Sequence, residues 1–163
     1  MLSKVMKRCF STSGSLLTWG ETTYGWGRTL NKNYSTPGLV EGFGNVTQAA
    51  SGPYHLAFLT SDNQVYTVGH GKDGRLGNGS ENDVETPIKV DIQGKVKQLA
   101  CGLRHTLALT ESGDVYAWGY GGRNSFVGCS WFKTHNPLGT GLEGSSFTPV
   151  KVNINNVSQI SAG

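Results

Sequence analysis

No stretch of this 163-residue chain approaches the roughly 18 consecutive apolar residues that a membrane-crossing helix needs. A helical membrane span is therefore not expected. Cysteine is scarce: Cys9, Cys101 and Cys129 are the full set, and none stands in C-x-x-C spacing. That excludes a disulfide framework and a zinc site, and it fits a reducing or neutral-redox compartment. Acidic residues are missing from the first twenty positions, which hold Lys4, Lys7 and Arg8. These three account for the whole net charge of +3, because 11 basic residues face 11 acidic ones from residue 21 onward. A sequence-independent nucleic-acid binder needs unbalanced Lys and Arg to neutralise phosphates, so nucleic acid is not an expected partner of the body.

What the chain has in quantity is glycine, 24 residues spread without a three-residue period. This points to many short strands and tight turns. An internal repeat organises them. Gly52-Pro53-Tyr54-His55-Leu56-Ala57-Phe58-Leu59-Thr60 recurs fifty residues later as Gly102-Leu103-Arg104-His105-Thr106-Leu107-Ala108-Leu109-Thr110. Val65-Tyr66-Thr67-Val68-Gly69 recurs at the same offset as Val115-Tyr116-Ala117-Trp118-Gly119. Thr36-Pro37, Thr86-Pro87 and Thr148-Pro149 form a third series, and Val46-Thr47-Gln48, Val96-Lys97-Gln98 and Val157-Ser158-Gln159 a fourth. The last copy is longer by twelve residues, which fall between Gly121 and Leu138. The middle copy predicts four short strands, near 46–51, 55–60, 64–69 and 86–90, joined by turn residues such as Ser61-Asp62-Asn63. Four antiparallel strands per fifty residues make one propeller blade, whose faces are buried by its neighbours.

The strings SGPYHLAFLTSDNQVYTVGHGKDGRLGNG and CGLRHTLALTESGDVYAWGYG, followed by PLGTG and TPVKV, resemble the repeats of the regulator-of-chromosome-condensation family. The resemblance covers residues 16–163 and implies an all-β propeller built from four-stranded blades. Family members form seven blades, and this chain holds about three repeats. The expectation is therefore a partial ring, either a truncated piece or one part of a propeller completed by another chain, the first being the stronger reading.

Residues 1–15, MLSKVMKRCFSTSGS, are expected to be a separate mitochondrial targeting segment. On a helical wheel Leu2, Val5, Met6 and Cys9 share one face while Lys4, Lys7, Arg8 and Ser11 share the other. Arg8-Cys9-Phe10-Ser11 matches a matrix-processing site with the cut after Phe10. A cut after Cys9 with further trimming through Leu17 is the alternative. The expected location is the matrix or the matrix face of the inner membrane.

Few residues invite a chemical reading. His55 and His105 recur at one repeat position and are expected, with Gly52 and Gly102, to be structural, since no carboxylate sits at matching spacing to make either histidine a base. Gly71-Lys72-Asp73-Gly74-Arg75-Leu76-Gly77 lacks the GK[ST] ending of a phosphate loop and is expected to be the repeat's Leu-Gly-x-Gly turn. Cys101 aligns with Ser51 and Ala162, a small-residue packing position. Trp19, Trp26 and Trp118 fall on repeat positions as space-filling aromatics. Plant ultraviolet receptors of this fold carry tryptophans after the Gly of Gly-x-x-His, where this chain has Pro53 and Leu103, so photoreception is not expected. The insertion 122–136 supplies Phe126, Trp131, Phe132 and Lys133, either a partner contact or a loop folded over its own blade.

No catalytic residue, cofactor or metal site is expected. The resemblance implies two functions: a non-enzymatic module acting as an assembly factor or accessory subunit of a respiratory complex or mitoribosome, and guanine-nucleotide exchange on a GTPase, the founding member's activity. The founding member's exchange wedge has no residue-by-residue match here, so the module ranks first and chromatin binding third. A fluorescent reporter carrying residues 1–20 should reach mitochondria in living cells. A cytosolic or nuclear signal at normal expression counts against the targeting reading.

Overall fold

A computed structural model describes residues 8–12, 14–20, 34–122, 138–141 and 144–163. The described strands are all antiparallel and fall into three sheets in chain order. The first contains β1 (Arg8–Thr12), β2 (Ser15–Gly20) and β3 (Tyr34–Leu39). The second is a complete blade of β4 (Val46–Ser51), β5 (His55–Thr60), β6 (Val65–Gly69) and β7 (Val84–Val90). The third repeats it with β8 (Val96–Cys101), β9 (His105–Thr110), β10 (Val115–Gly119) and β11 (Ser146–Lys151). The outer strand β7 begins two residues before the sequence-based expectation, because Gly69 still pairs with Val84 across a bulge.

Residues 8–12 depart from the expected targeting helix. They pair with β2 from Arg8↔Trp19 to Thr12↔Ser15 and so extend the first blade upstream of residue 16. Cys9, Phe10 and Thr12 suit a strand as well as a helix, and Gly14 at φ +82° sits in the tight reversal before β2. Processing after Phe10 would remove three of the five β1 residues, and trimming through Leu17 would remove β1 and half of β2. The targeting segment and the first blade thus compete for the same residues.

The side chains of β5 show why the blades stack. All six residues are buried, although a one-sided sheet would bury alternate ones. Leu56 and Phe58 enter a core with Leu16, Val40, Val46 and Val68 on the side of the first blade. Ala57 and Leu59 enter the opposite core with Val65, Val90, Val96, Leu99, Cys101, Ala108, Tyr116 and Trp118. A third cluster of Leu109, Val115, Ala117, Leu138 and Val152 receives Val157 and Ile160.

Polar bonds at the inner strands fix how neighbouring blades meet. β4 and β8 are sheet edges, so half of their N–H groups lack a ladder partner. The first N–H of β4 and of β8 is taken up by the preceding blade's hairpin turn: Val46 donates to the Gly14 carbonyl at 2.8 Å and Val96 to Asn63 Oδ1 at 2.9 Å; in the segment after β11, Val157 likewise donates to the Gly113 carbonyl at 3.3 Å. Further along, Gln48 Oε1 accepts the Leu99 N–H at 2.8 Å. Gln98 repeats this on Ile160, accepting its N–H at 3.0 Å and donating to its carbonyl at 2.9 Å. A bulge between Val46 and Gln48, and another between Val96 and Gln98, accompanies this reach.

Removing one glutamine isolates this term. Gln48→Ala leaves the Leu99 N–H without its acceptor and should lower stability by about 1–3 kcal/mol, the usual loss for an unsatisfied donor. In urea melts this appears as an earlier midpoint with unchanged slope. No shift would mean that solvent satisfies Leu99.

Candidate protein-binding face

The turn between the first and second strands of a blade lies at the same end as the loop between its third and fourth strands. In the second blade these are Gly52-Pro53-Tyr54 and His70–Asp83; in the third they are Gly102-Leu103-Arg104 and Tyr120–Ser145. Backbone bonds tie each turn to its loop, since His70 N–H donates to the Tyr54 carbonyl and Tyr120 N–H to the Arg104 carbonyl, both at 2.9 Å. Gly69 at φ +122° and Gly119 at φ +105° allow this crossing. A Cβ on Gly69 would come within 2.6 Å of the Tyr54 carbonyl oxygen, and one on Gly119 within 2.5 Å of the Arg104 oxygen.

The loop of the second blade also grips the third. Gly77, at φ +74°, lies on the indole of the fully buried Trp118; a Cβ there would stand 2.7 Å from Trp118 Nε1. Gly79 N–H donates to the Phe147 carbonyl on β11 at 2.8 Å. This is the stretch expected to be a Leu-Gly-x-Gly turn, and it is one, but it spans two blades. Its one helical element is the single 3₁₀ turn Lys72–Gly74, too short to present an anion site.

Three of the four recurrent residues, Gly52, His55 and Gly102, lie at this junction. His55, fully buried, approaches Thr106 Oγ1 through Nε2 at 2.6 Å. The Thr106 hydroxyl hydrogen is committed to the Arg75 carbonyl at 2.8 Å, so Nε2 of His55 is the protonated nitrogen and donates. A Cβ on Gly52 would collide with the Gly102 carbonyl, and one on Gly102 with the His105 ring. Cys101 Sγ lies 3.3 Å from the Ala50 carbonyl in the same packed layer.

Sequence reasoning missed a charged cluster here. Asp73, buried and at φ +63°, receives Arg75 Nη2 at 3.1 Å and Arg104 Nη2 at 2.7 Å on Oδ2. Arg104 Nε also donates to it at 2.9 Å. Arg75, equally buried, donates further to the Lys72 carbonyl at 2.7 Å and the Leu103 carbonyl at 3.1 Å. Its guanidinium lies 5.3 Å from the Tyr54 ring centre, and that of Arg104 lies 4.0 Å from Tyr120. Burial draws Arg75 below its ordinary pKa while the Asp73 carboxylate opposes the shift. The available signal was an Asp-Gly pair with an Arg in one copy, facing an Arg just before the His of the next. Neither residue recurs at the other copy's position.

Around this cluster the face carries exposed apolar side chains among exposed polar ones such as Lys72, Glu81 and Asp83. Tyr54 is 41% exposed and Leu103 46%. Phe126, Trp131, Phe132 and Lys133 lie outside the described residues. The flanking Gly122 and Leu138 belong to the loop of the third blade at this end. Among the described residues no group of three or more His, Cys, Asp or Glu could hold a metal ion, and no helix is long and apolar enough to cross a membrane.

A family model described as the regulator of chromosome condensation (RCC1) repeat matches residues 13–59 and 62–109, and a second RCC1 model matches 46–75 and 96–126. The chain belongs to the RCC1 repeat family. It is 38% identical over 76 residues to the protein RCC2 homolog of Danio rerio, a match covering 45% of this chain and 15% of that relative. Among solved structures it is similar to human WBSCR16, with a TM-score of 0.66 and 26% identity over 87% of this chain and 35% of that one. Prp20p of Saccharomyces cerevisiae, described with its binding to Gsp1p and histones, gives a TM-score of 0.72 at 21% identity over 91% of this chain and 37% of that one. RCC1 repeats also match within HERC ligases and the Nek9 kinase, where the shared segment is between 2% and 9% of the relative's length. The chain thus spans a minor part of each of these proteins.

Two histidines give the fold a pH dependence. Burial holds His105 below its ordinary pKa, and burial lowers His70 against the raising effect of Asp83. On acidification the unfolded chain takes up these protons first, so stability is complete above about pH 6.5 and falls as pH drops toward the lowered folded values. Urea midpoints measured between mildly alkaline and mildly acidic pH should decline, and His105→Gln should flatten that slope. An unchanged slope in the variant would remove His105 from the account.

Proposed function

We propose that this RCC1-type chain is a non-enzymatic protein-interaction module in mitochondria, an assembly factor or accessory subunit of a respiratory complex or the mitoribosome. Its binding face is the end of the blades that carries Tyr54, Leu103 and Arg104. The observation that supports this most is the pairing of exposed apolar side chains with a buried Asp73–Arg75–Arg104 cluster that holds their turns in place. A rigid base under exposed aromatic and aliphatic side chains limits the entropy lost on binding. The acid-free basic start of the chain supports the mitochondrial assignment.

Guanine-nucleotide exchange on a GTPase is the second reading. It rests on the likeness in fold to Prp20p, which binds Gsp1p. Exchange requires an inserted loop rather than an acid, base or nucleophile, so the same face would serve it.

Affinity capture from mitochondria with tagged chain separates contact from scaffold. Leu103→Ala and Trp131→Ala should each weaken recovery of the partner by about 1–3 kcal/mol, as anchor truncations do, while melting stays unchanged. Full recovery by both folded variants would place the interface elsewhere. Faster nucleotide release from a captured GTPase, lost in the same variants, would favour the second reading.

A further inference from the structure

Asn78-Gly79 is the one Asn-Gly dipeptide in the chain, and it sits on the loop of the second blade, between β6 and β7, that packs on the third. The Gly79 nitrogen is the atom able to attack the Asn78 side chain, and the absence of a Cβ on Gly79 leaves that approach open. Two features of the surroundings act on this reaction in opposite senses. Asn78 is exposed, and its Oδ1 accepts from Ser80 N–H at 3.2 Å and from Ser80 Oγ at 3.3 Å. Both donors polarise the side-chain carbonyl and face the oxygen on which negative charge develops when its carbon is attacked. The nucleophile, in contrast, is restrained. Gly79 N–H is held by the Phe147 carbonyl of β11 at 2.8 Å, so its hydrogen is shared with the neighbouring blade.

We infer that Asn78-Gly79 is a self-modification site gated by the contact between the second and third blades. When β11 draws away, the Gly79 nitrogen forms a bond to Asn78 Cγ as the Cγ–Nδ2 bond breaks. Nδ2 leaves as ammonia with the Gly79 hydrogen, and a five-membered succinimide remains. Water then opens either ring carbonyl to give an aspartyl or isoaspartyl residue at 78, with no oxidation or reduction. The Ser80 donors lie one and two residues from the reacting groups, so they stay with the loop when the blades part. The product carries a permanent negative charge at the binding end. In the isoaspartyl form it also lengthens the main chain next to Gly77, which packs on Trp118. The other copy of the turn, Leu138-Gly139-Thr140-Gly141, has Thr140 in place of the asparagine, so the device belongs to this one junction.

The test follows deamidation by peptide mapping and isoaspartyl labelling of the folded chain at mildly alkaline pH, beside a synthetic peptide of residues 74–84. The folded chain should react at least about tenfold more slowly than the peptide, the protection expected of an amide released only by opening. In urea below the unfolding transition its rate should rise in proportion to hydrogen exchange at the Gly79 amide. Asn78→Ala, at an exposed position, should abolish the signal. A folded chain that reacts at the peptide's rate, or a rate that ignores urea while Gly79 exchange accelerates, overturns the gate. An isoaspartyl signal that persists in Asn78→Ala overturns the site.

Discussion

Each blade presents an inner strand whose outward backbone groups no strand of its own sheet can satisfy, and the next blade has to answer them. Orphaned N–H groups buried near a packed layer cost far more than a made bond returns, so the register between blades is set by where these donors are met. Val46, Val96 and Val157 are met by the preceding hairpin turn, Leu99 and Ile160 by a glutamine. The hydrophobic layers between blades are less discriminating, because Leu, Val and Ala surfaces tolerate small slides. The repeat length follows from the polar bonds: a donor must return to the same height on the axis each time, and insertions are accommodated only away from that edge. The extra residues after Gly122 obey this, since they enter between β10 and β11 and leave the inner strands unchanged.

Glycines translate this regular stacking into a crossing loop. A left-handed residue at the end of β6 and β10 turns the chain over the neighbouring turn, and the next glycines lay it on the following blade. Side chains at Gly69, Gly77 or Gly119 would strike a carbonyl or an indole. The loop that results is held from three directions, by the Tyr54 carbonyl, by Trp118 and by β11. Rigidity at this end of the blades is therefore inherited from the junctions and is not a property of the loop itself.

Most of the fold could be read from residue spacing. The paired Gly-x-x-His and Val-Tyr-x-x-Gly strings located β5, β6, β9 and β10 within a residue, because buried strands between fixed turns leave little freedom. The recurrence of His55 and His105 was legible from spacing, though the Thr106 hydroxyl and Arg75 carbonyl next to His55 were not. Residues 8–12 show the opposite case. A basic, amphipathic pattern at the start of a chain suits a helix in isolation, and pairing with β2 overrides it. Nothing local to those residues reports that a partner strand follows a two-residue reversal.

The charged cluster was illegible for a different reason. Repeat analysis amplifies what copies share and discards what they do not, and Asp73 and Arg104 each occur once at their positions. Their meaning lies in the pair, brought together from residues 31 apart on different blades. Burying Asp73 and Arg75 requires each to find its partner, since an unpaired charge in that layer would be strongly unfavourable. Satisfying them fixes the turns that present Tyr54 and Leu103, both of which remain exposed. The scaffold is common to the repeats, but individuality arises at a junction where two non-repeating charges meet. In a propeller built from one unit, such a junction is where a particular partner can be recognised, because a surface made only of repeated residues would offer every blade alike.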